Sequence, residues 1–340
     1  MADEHDVRRV AGALAGRIRP LVGRVRRRLF AAPAATPAPE PPAADVSLTE
    51  APRPPQERAR PLPDGWTEDE LRSVMGTVSL DDGPCGEMNP YLDDAFWRFL
   101  QTWGLVRHAK GRALELGANP YFITWLLREF SSLDVSLANY FGDANSSLAQ
   151  RFSIAGRDGT TTHAVFESQL FNMEQDRFPY DDDSFDVVLF CEIIEHLLID
   201  PLHAIREIRR VLRPGGLLVV TTPNVARLGN VLALVAGENM YDPYSGYGAY
   251  GRHNREYTQH ELVKLLSFAG FEVDVAFTAN AHPEAYESRF AFDAAMPLVD
   301  FRKNDLGQYL FVSGRKAGVA RDGMPSWLYR SVPADQLVDD

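Results

Sequence analysis

The sequence predicts an α/β protein built on a mostly parallel, doubly wound sheet with helices on both faces. Three observations carry this prediction. Short runs of near-uniform apolarity alternate with helix-period segments between Leu92 and Lys316, as expected for strands whose two faces are both covered. One run, Arg112–Leu116, leads straight into Gly117, the place where such a sheet brings a loop against a ligand. A later helix-period stretch stops at Pro214-Gly215-Gly216, and the apolar run Leu217–Thr221 follows at once.

Residues 1–30 are basic, with eight arginines against Asp3, Glu4 and Asp6. Val10, Leu14, Ile18, Leu21, Val25 and Leu29 recur at helical spacing, so Val7–Phe30 reads as an amphipathic helix, kinked or split at Pro20. It suits a peripheral membrane or protein contact through residues 7–30, or simply a solvated helix leading into a linker. Residues 31–63 carry ten prolines among alanines and read as an extended, disordered tether. Residues 64–110 should form helices that cap the domain. Thr67 and Glu70 make a capping box, and Pro90–Arg107 is a longer helix with Leu92, Phe96, Phe99, Leu100 and Trp103 on its apolar face.

The main domain is expected over residues 111–318, with a tail at 319–340. Its strands are Arg112–Leu116, Asp134–Ala138, Phe185–Phe190, Leu217–Thr221, Phe271–Phe277 and Tyr309–Ser313. Its helices are Tyr121–Phe130, a segment running from the Phe190 strand to about Leu212, and Thr258–Ala269.

Composition excludes several classes. The net charge of -12 disfavours a protein whose task is to hold nucleic acid, because phosphate neutralisation needs a basic face. Cys85 and Cys191 are too few for a disulfide framework. No apolar run approaches the roughly 20 residues that span a bilayer. The expectation is a cytoplasmic protein, with the inner membrane face open to the basic helix.

The loop Glu115-Leu116-Gly117-Ala118-Asn119 lacks the glycine spacing of a dinucleotide site. Glu115 can fix the loop or face a ligand's ammonium group. Further on, Phe178-Pro179-Tyr180-Asp181-Asp182-Asp183-Ser184-Phe185-Asp186-Val187-Val188, Arg210-Val211-Leu212-Arg213-Pro214-Gly215-Gly216 and Thr222-Pro223-Asn224 stand in order. Together these motifs resemble those of class I S-adenosylmethionine-dependent methyltransferases. The resemblance implies a Rossmann-like, seven-stranded sheet and S-adenosyl-L-methionine as cofactor. It also implies that Glu115, Gly117 and Ala118 line the methionine end, with Asn119 among the cofactor-binding residues. Asn172, Met173 and Glu174 would form the adenine loop. Asn139 stands where an acid usually binds the ribose, with Asp134 or Asp143 as substitutes.

After the fourth strand comes Cys191-Glu192-Ile193-Ile194-Glu195-His196-Leu197. On a helix, Glu195 and His196 share a face with Glu192, a plausible three-ligand metal arrangement. With His253, which lies five residues before a capping Thr258, the set resembles metal-dependent small-RNA 3′-terminal 2′-O-methyltransferases. Its Glu-x-x-Glu-His part also resembles ubiquinone-biosynthesis O-methyltransferases. Carried over, Glu192, Glu195, His196 and His253 would hold a divalent ion (Mg²⁺ or Mn²⁺) that grips vicinal hydroxyls. Without a metal, His196 or His253 becomes the candidate general base.

Five of twelve tyrosines fall between Tyr241 and Tyr257, and aromatic faces with hydroxyl tips suit a sugar or another polyhydroxylated ring. The expected partner is therefore a small molecule or glycan with vicinal hydroxyls. Two other readings stand beside it: a metal-independent methyltransferase, and an inactive methyltransferase-like scaffold.

Overall fold

The computed structural model describes residues 60–81, 88–142, 146–240, 249–282, 297, 301–302, 304–328 and 333–338. The basic helix expected at residues 1–30, most of the linker, Asp143 and three of the clustered tyrosines (Tyr241, Tyr244 and Tyr247) lie outside the described residues.

Helix α1 (Glu68–Met75) starts as expected: the Thr67 hydroxyl accepts from the Glu70 amide, and Glu70 accepts from the Thr67 amide at 2.9 Å. This reciprocal bonding satisfies two amides that the first helical turn leaves unpaired. Helix α2 (Met88–Val106) follows, after the two-residue strand β1 (Ser79–Leu80). Then come β2 (Lys110–Leu116), α3 (Phe122–Phe130), β3 (Ser132–Asn139), β4 (Ser146–Ala155) and β5 (Thr161–Leu170). The second half holds β6 (Phe185–Cys191), α4 (Pro201–Val211), β7 (Leu212–Pro223), α5 (Leu228–Ala236), α6 (Gln259–Phe268), β8 (Phe271–Ala279) and β9 (Tyr309–Lys316).

Among the described residues the sheet has nine strands rather than seven, in the order β1-β4-β5-β3-β2-β6-β7-β9-β8. β5, β3, β2, β6 and β7 run parallel, and β9 is antiparallel to both β7 and β8. The two additions are β1 and β4. β4 pairs antiparallel with β5 over its whole length, from Ser146 opposite Leu170 to Ala155 opposite Thr161. The sequence reading assigned no element to residues 140–170. Most residues of β5 are exposed or half-buried up to Val165, so the region lacks the continuous apolarity that marks the central strands.

Alternate residues of the central strands feed separate cores. Val187 and Leu189 face α2 and α3, packing with Phe96, Leu100, Leu126 and the hairpin's Phe152 and Phe166. Val188 and Phe190 face the other way, toward Ile205 and Ile208 of α4 and Leu262 and Leu265 of α6. The strand order reverses between β2 and β6, which places a crevice at their carboxyl ends.

The segment after β6 departs from the expected helix. Glu192 sits at φ 56, in the left-handed region, and only a short 3₁₀ turn, Ile194–His196, precedes α4. Pro201 opens α4, and the Asp200 side chain caps it by accepting from the His203 amide at 3.1 Å.

The hairpin is part of the core, because Phe166 packs edge-to-face on Tyr121 at 4.9 Å and in a tilted contact on Phe152 at 4.8 Å. Phe166→Ala should therefore destabilise the fold by about 3–5 kcal/mol in urea unfolding. A loss below about 1 kcal/mol would mean the hairpin is peripheral.

Candidate active site

The loop after β2 is anchored on its neighbours. Gly117 adopts φ +70 and its amide donates to the Ala138 carbonyl at 2.8 Å. A Cβ at this position would fall 2.5 Å from Ile193 Cδ1, so the loops after β2 and β6 touch here and glycine is required. Ala118 is buried. Glu115 is buried too and accepts from the Thr124 hydroxyl of α3 at 2.6 Å. Burial pushes its carboxyl up to about 8, against the opposing pull of Thr124 and Arg128. Asn139 ends β3 as the sequence places it. Its Oδ1 accepts from the Asn119 amide at 3.0 Å and its Nδ2 donates to Ser168 Oγ at 2.9 Å.

Beyond β5, the Asn172 side chain accepts from the Glu174 amide at 2.9 Å, and Met173 is buried in the second core. Glu174 is a cross-link. One oxygen accepts from the Ile199 and Asp200 amides and the other from the Tyr250 hydroxyl.

Of the four expected metal ligands, the structure brings three together. Glu195, His196 and His253 each offer one ligand atom, and these atoms lie within 4.8 Å of one another. Glu192 is not in this group. Its unwound backbone turns the carboxylate toward Arg98 Nη1 at 3.3 Å and the Thr221 hydroxyl at 2.8 Å. The shared helix face that the spacing suggested does not form.

Each member of the cluster is held from behind. Glu195 is fully buried, and its Oε2 accepts from the Thr222 hydroxyl at 2.8 Å. Its Oε1 is buried without a hydrogen-bond partner. Burial, and then the charge of Glu192, raise this carboxyl to about 8. His196 Nδ1 lies 2.9 Å from the Arg252 carbonyl, which can only accept, so this nitrogen carries the proton. Its Nε2 lies 3.8 Å from Glu195 Oε1. His253 Nδ1 lies 2.9 Å from Glu256 Oε1, and Glu256 is also paired with Arg227. Burial would raise the Glu256 carboxyl, but His253 and Arg227 outweigh it and hold it below the ordinary range.

His253 reaches His196 because the chain around it is docked. The Asn254 and Arg255 amides donate to the Glu195 carbonyl at 2.7 and 3.1 Å, and Asn254 Nδ2 donates to the His196 carbonyl at 2.8 Å.

Several of these partners escaped the sequence reading. Thr221 is read only as a strand residue and Thr222 only as part of the Thr222-Pro223-Asn224 motif, while Glu256 was legible in principle, three residues after His253. Arg98 was not, since its only signal is an arginine among the apolar Phe96, Trp97, Phe99 and Leu100.

A family model described as a methyltransferase domain matches residues 90–275, more than half of the chain. The chain belongs to the methyltransferase domain family. A protein of Mycolicibacterium smegmatis named a probable S-adenosylmethionine-dependent methyltransferase is 38% identical over 96 residues, 28% of this chain and 32% of that protein. A ubiquinone biosynthesis O-methyltransferase of Parvibaculum lavamentivorans is 38% identical over 56 residues, 16% of this chain and 22% of that protein. The chain thus spans about a third or less of the curated relatives it matches. A solved Haloferax volcanii methyltransferase, in complex with the Trm112 methyltransferase activator, gives a TM-score of 0.44 at 16% identity over 68% of this chain and 95% of that one.

In this methyltransferase domain, the expected cofactor loop and the Glu195 cluster sit on the same carboxyl edge of the sheet. Arg98 ties α2 to that edge: it is 5% exposed, bonds the Tyr91 hydroxyl at 2.8 Å and keeps its charge because Glu192 offsets the cost of burial. Removing one partner of a buried ion pair strands the other. Arg98→Met should therefore cost about 3–5 kcal/mol. Arg98→Met combined with Glu192→Gln should recover part of that loss in a double-mutant cycle, whereas strict additivity would mean that the two side chains are not coupled.

Proposed function

We propose that this methyltransferase domain moves the methyl group of S-adenosyl-L-methionine to a hydroxyl of a small molecule or glycan bearing vicinal hydroxyls, aided by a divalent ion. The observation that carries this reading is Glu195 Oε1, a buried oxygen without a hydrogen-bond partner beside two imidazoles whose Nδ1 atoms are both engaged.

The residues fit a cation. A buried carboxylate oxygen without a partner costs free energy that a bound cation offsets. Metal-ligating histidines characteristically anchor their other nitrogen on a carbonyl or carboxylate, as His196 does on Arg252 and His253 on Glu256. Two imidazoles and one carboxylate suit first-row ions such as Mn²⁺ better than Mg²⁺, which prefers oxygen. Glu195, His196 and His253 would hold the ion, and when bound it would orient a hydroxyl and lower its pKa.

The protein's own residues then have defined tasks. Arg227 fixes Glu256, which fixes His253, while the Arg252 carbonyl fixes His196. The loop at Gly117 and the segment Asn172–Glu174 would seat the cofactor on the same edge. Tyr250, anchored on Glu174, offers an aromatic face near the adenine segment. An O-methyltransferase among the relatives supports oxygen as the acceptor, and the acidic total charge favours a small acceptor over nucleic acid.

The His253–Glu256 pair also favours a second reading, in which His253 is a general base oriented by a carboxylate and no metal takes part. One experiment separates the two. With methyl-labelled S-adenosylmethionine and catechol or methyl glucoside as acceptor, transfer should stop with EDTA and return with Mn²⁺. His253→Ala should lower it by about 100-fold or more, as expected for a lost ligand. Transfer that survives EDTA but not His253→Ala would establish the base mechanism instead.

A further inference from the structure

The hairpin that the sequence did not reveal reaches into the expected cofactor loop. Gln150, on β4, is 7% exposed, and its Oε1 accepts from Asn119 Nδ2 at 2.9 Å and from the Tyr121 hydroxyl at 2.5 Å. The Tyr121 hydroxyl also lies 3.4 Å from Ser168 Oγ, which accepts from Asn139 Nδ2. Asn139 in turn accepts from the Asn119 amide. Five neutral side chains from four segments, with the Asn119 amide, thus close a largely buried circuit around Asn119–Tyr121.

That turn needs support. Tyr121 holds φ 71 with no side-chain cap on the helix it precedes, a conformation that costs a side-chain-bearing residue about 1 kcal/mol or more. Its ring is fully buried against Phe166, and its hydroxyl ties the side chain to the hairpin, while its amide donates to the Ala118 carbonyl at 2.6 Å. Asn139 is 2% exposed with both amide atoms engaged inside the circuit, so it presents almost no surface to a ribose.

We infer that Gln150 is a positioning residue for the cofactor: from the β4–β5 hairpin it braces the Asn119–Tyr121 turn in the shape that receives S-adenosylmethionine, with Asn139 as a strut of the same brace and not a ribose ligand. This rests on the reading of the Gly117 loop as the cofactor seat.

Calorimetry of the full chain with S-adenosylhomocysteine tests it, alongside hydrogen exchange of the ligand-free protein. Gln150→Met, similar in size but unable to accept from either donor, should weaken binding about tenfold, the loss of one to two hydrogen bonds. It should also speed exchange at the Gly117, Asn119 and Tyr121 amides while the central strands stay protected. Gln150→Glu keeps the acceptor oxygen and should restore protection and bring affinity within about threefold of the parent. Asn139→Asp should not tighten binding. Unchanged affinity in Gln150→Met, exchange unchanged in that turn, failure of Gln150→Glu to restore protection, or a tenfold gain from Asn139→Asp would each overturn the inference. Gly117→Ala provides the control. If it leaves affinity unchanged, the loop is not the cofactor seat and the underlying reading falls. If it weakens binding while Gln150→Met does not, only the brace falls.

Discussion

The candidate site depends on one backbone interaction, the donation of the Asn254 and Arg255 amides to the Glu195 carbonyl. It docks the segment before α6 against the 3₁₀ turn after β6. His196 and His253 belong to loops after different strands, and this docking joins them. The Val225 amide, just past the end of β7, donates to the Tyr257 carbonyl at 3.0 Å and holds the same segment. The docking is reinforced from both sides, by Asn254 on the His196 carbonyl and by His196 on the Arg252 carbonyl. A pair of loops tied by backbone atoms tolerates side-chain change, which leaves the site's chemistry to a few residues.

Charge then sorts the carboxylates. Glu192 is balanced by Arg98, and Glu256 by Arg227 and His253. Glu195 is fully buried, with the His196 ring 3.8 Å from its Oε1 and the His253 ring in the same cluster. Its rise to about 8 is the electrostatic cost of that position. The divalent ion proposed for the cluster would offset that cost.

The sequence made the central strands legible because they are covered on both faces, and Phe185–Phe190, apolar at every position but Asp186, announces that. Thr67 and Thr258 cap helices as their spacing indicates. The β4–β5 hairpin was invisible because it lies toward the sheet edge, and half-exposed strands dilute the apolar signal. Within the candidate site, the motif residues His196 and His253 come together with Glu195, yet the helix expected around Glu192 does not form. Helical spacing predicts a shared face only if the helix exists, and a left-handed residue at position 192 ends that possibility. Partnerships across long sequence gaps, such as Arg98 with Glu192 or Tyr121 with Gln150, depend on tertiary packing and leave no local trace.

The measurement closest to the central claim needs neither acceptor nor cofactor. Titrating Mn²⁺ into the ligand-free protein and following free ion by electron paramagnetic resonance reads the cluster directly. The account predicts one tightly held Mn²⁺ per chain, lost in His253→Ala and in Glu195→Gln but retained when Glu192 is changed to Gln. Binding that is absent in the parent protein, or equally strong in His253→Ala, would contradict it.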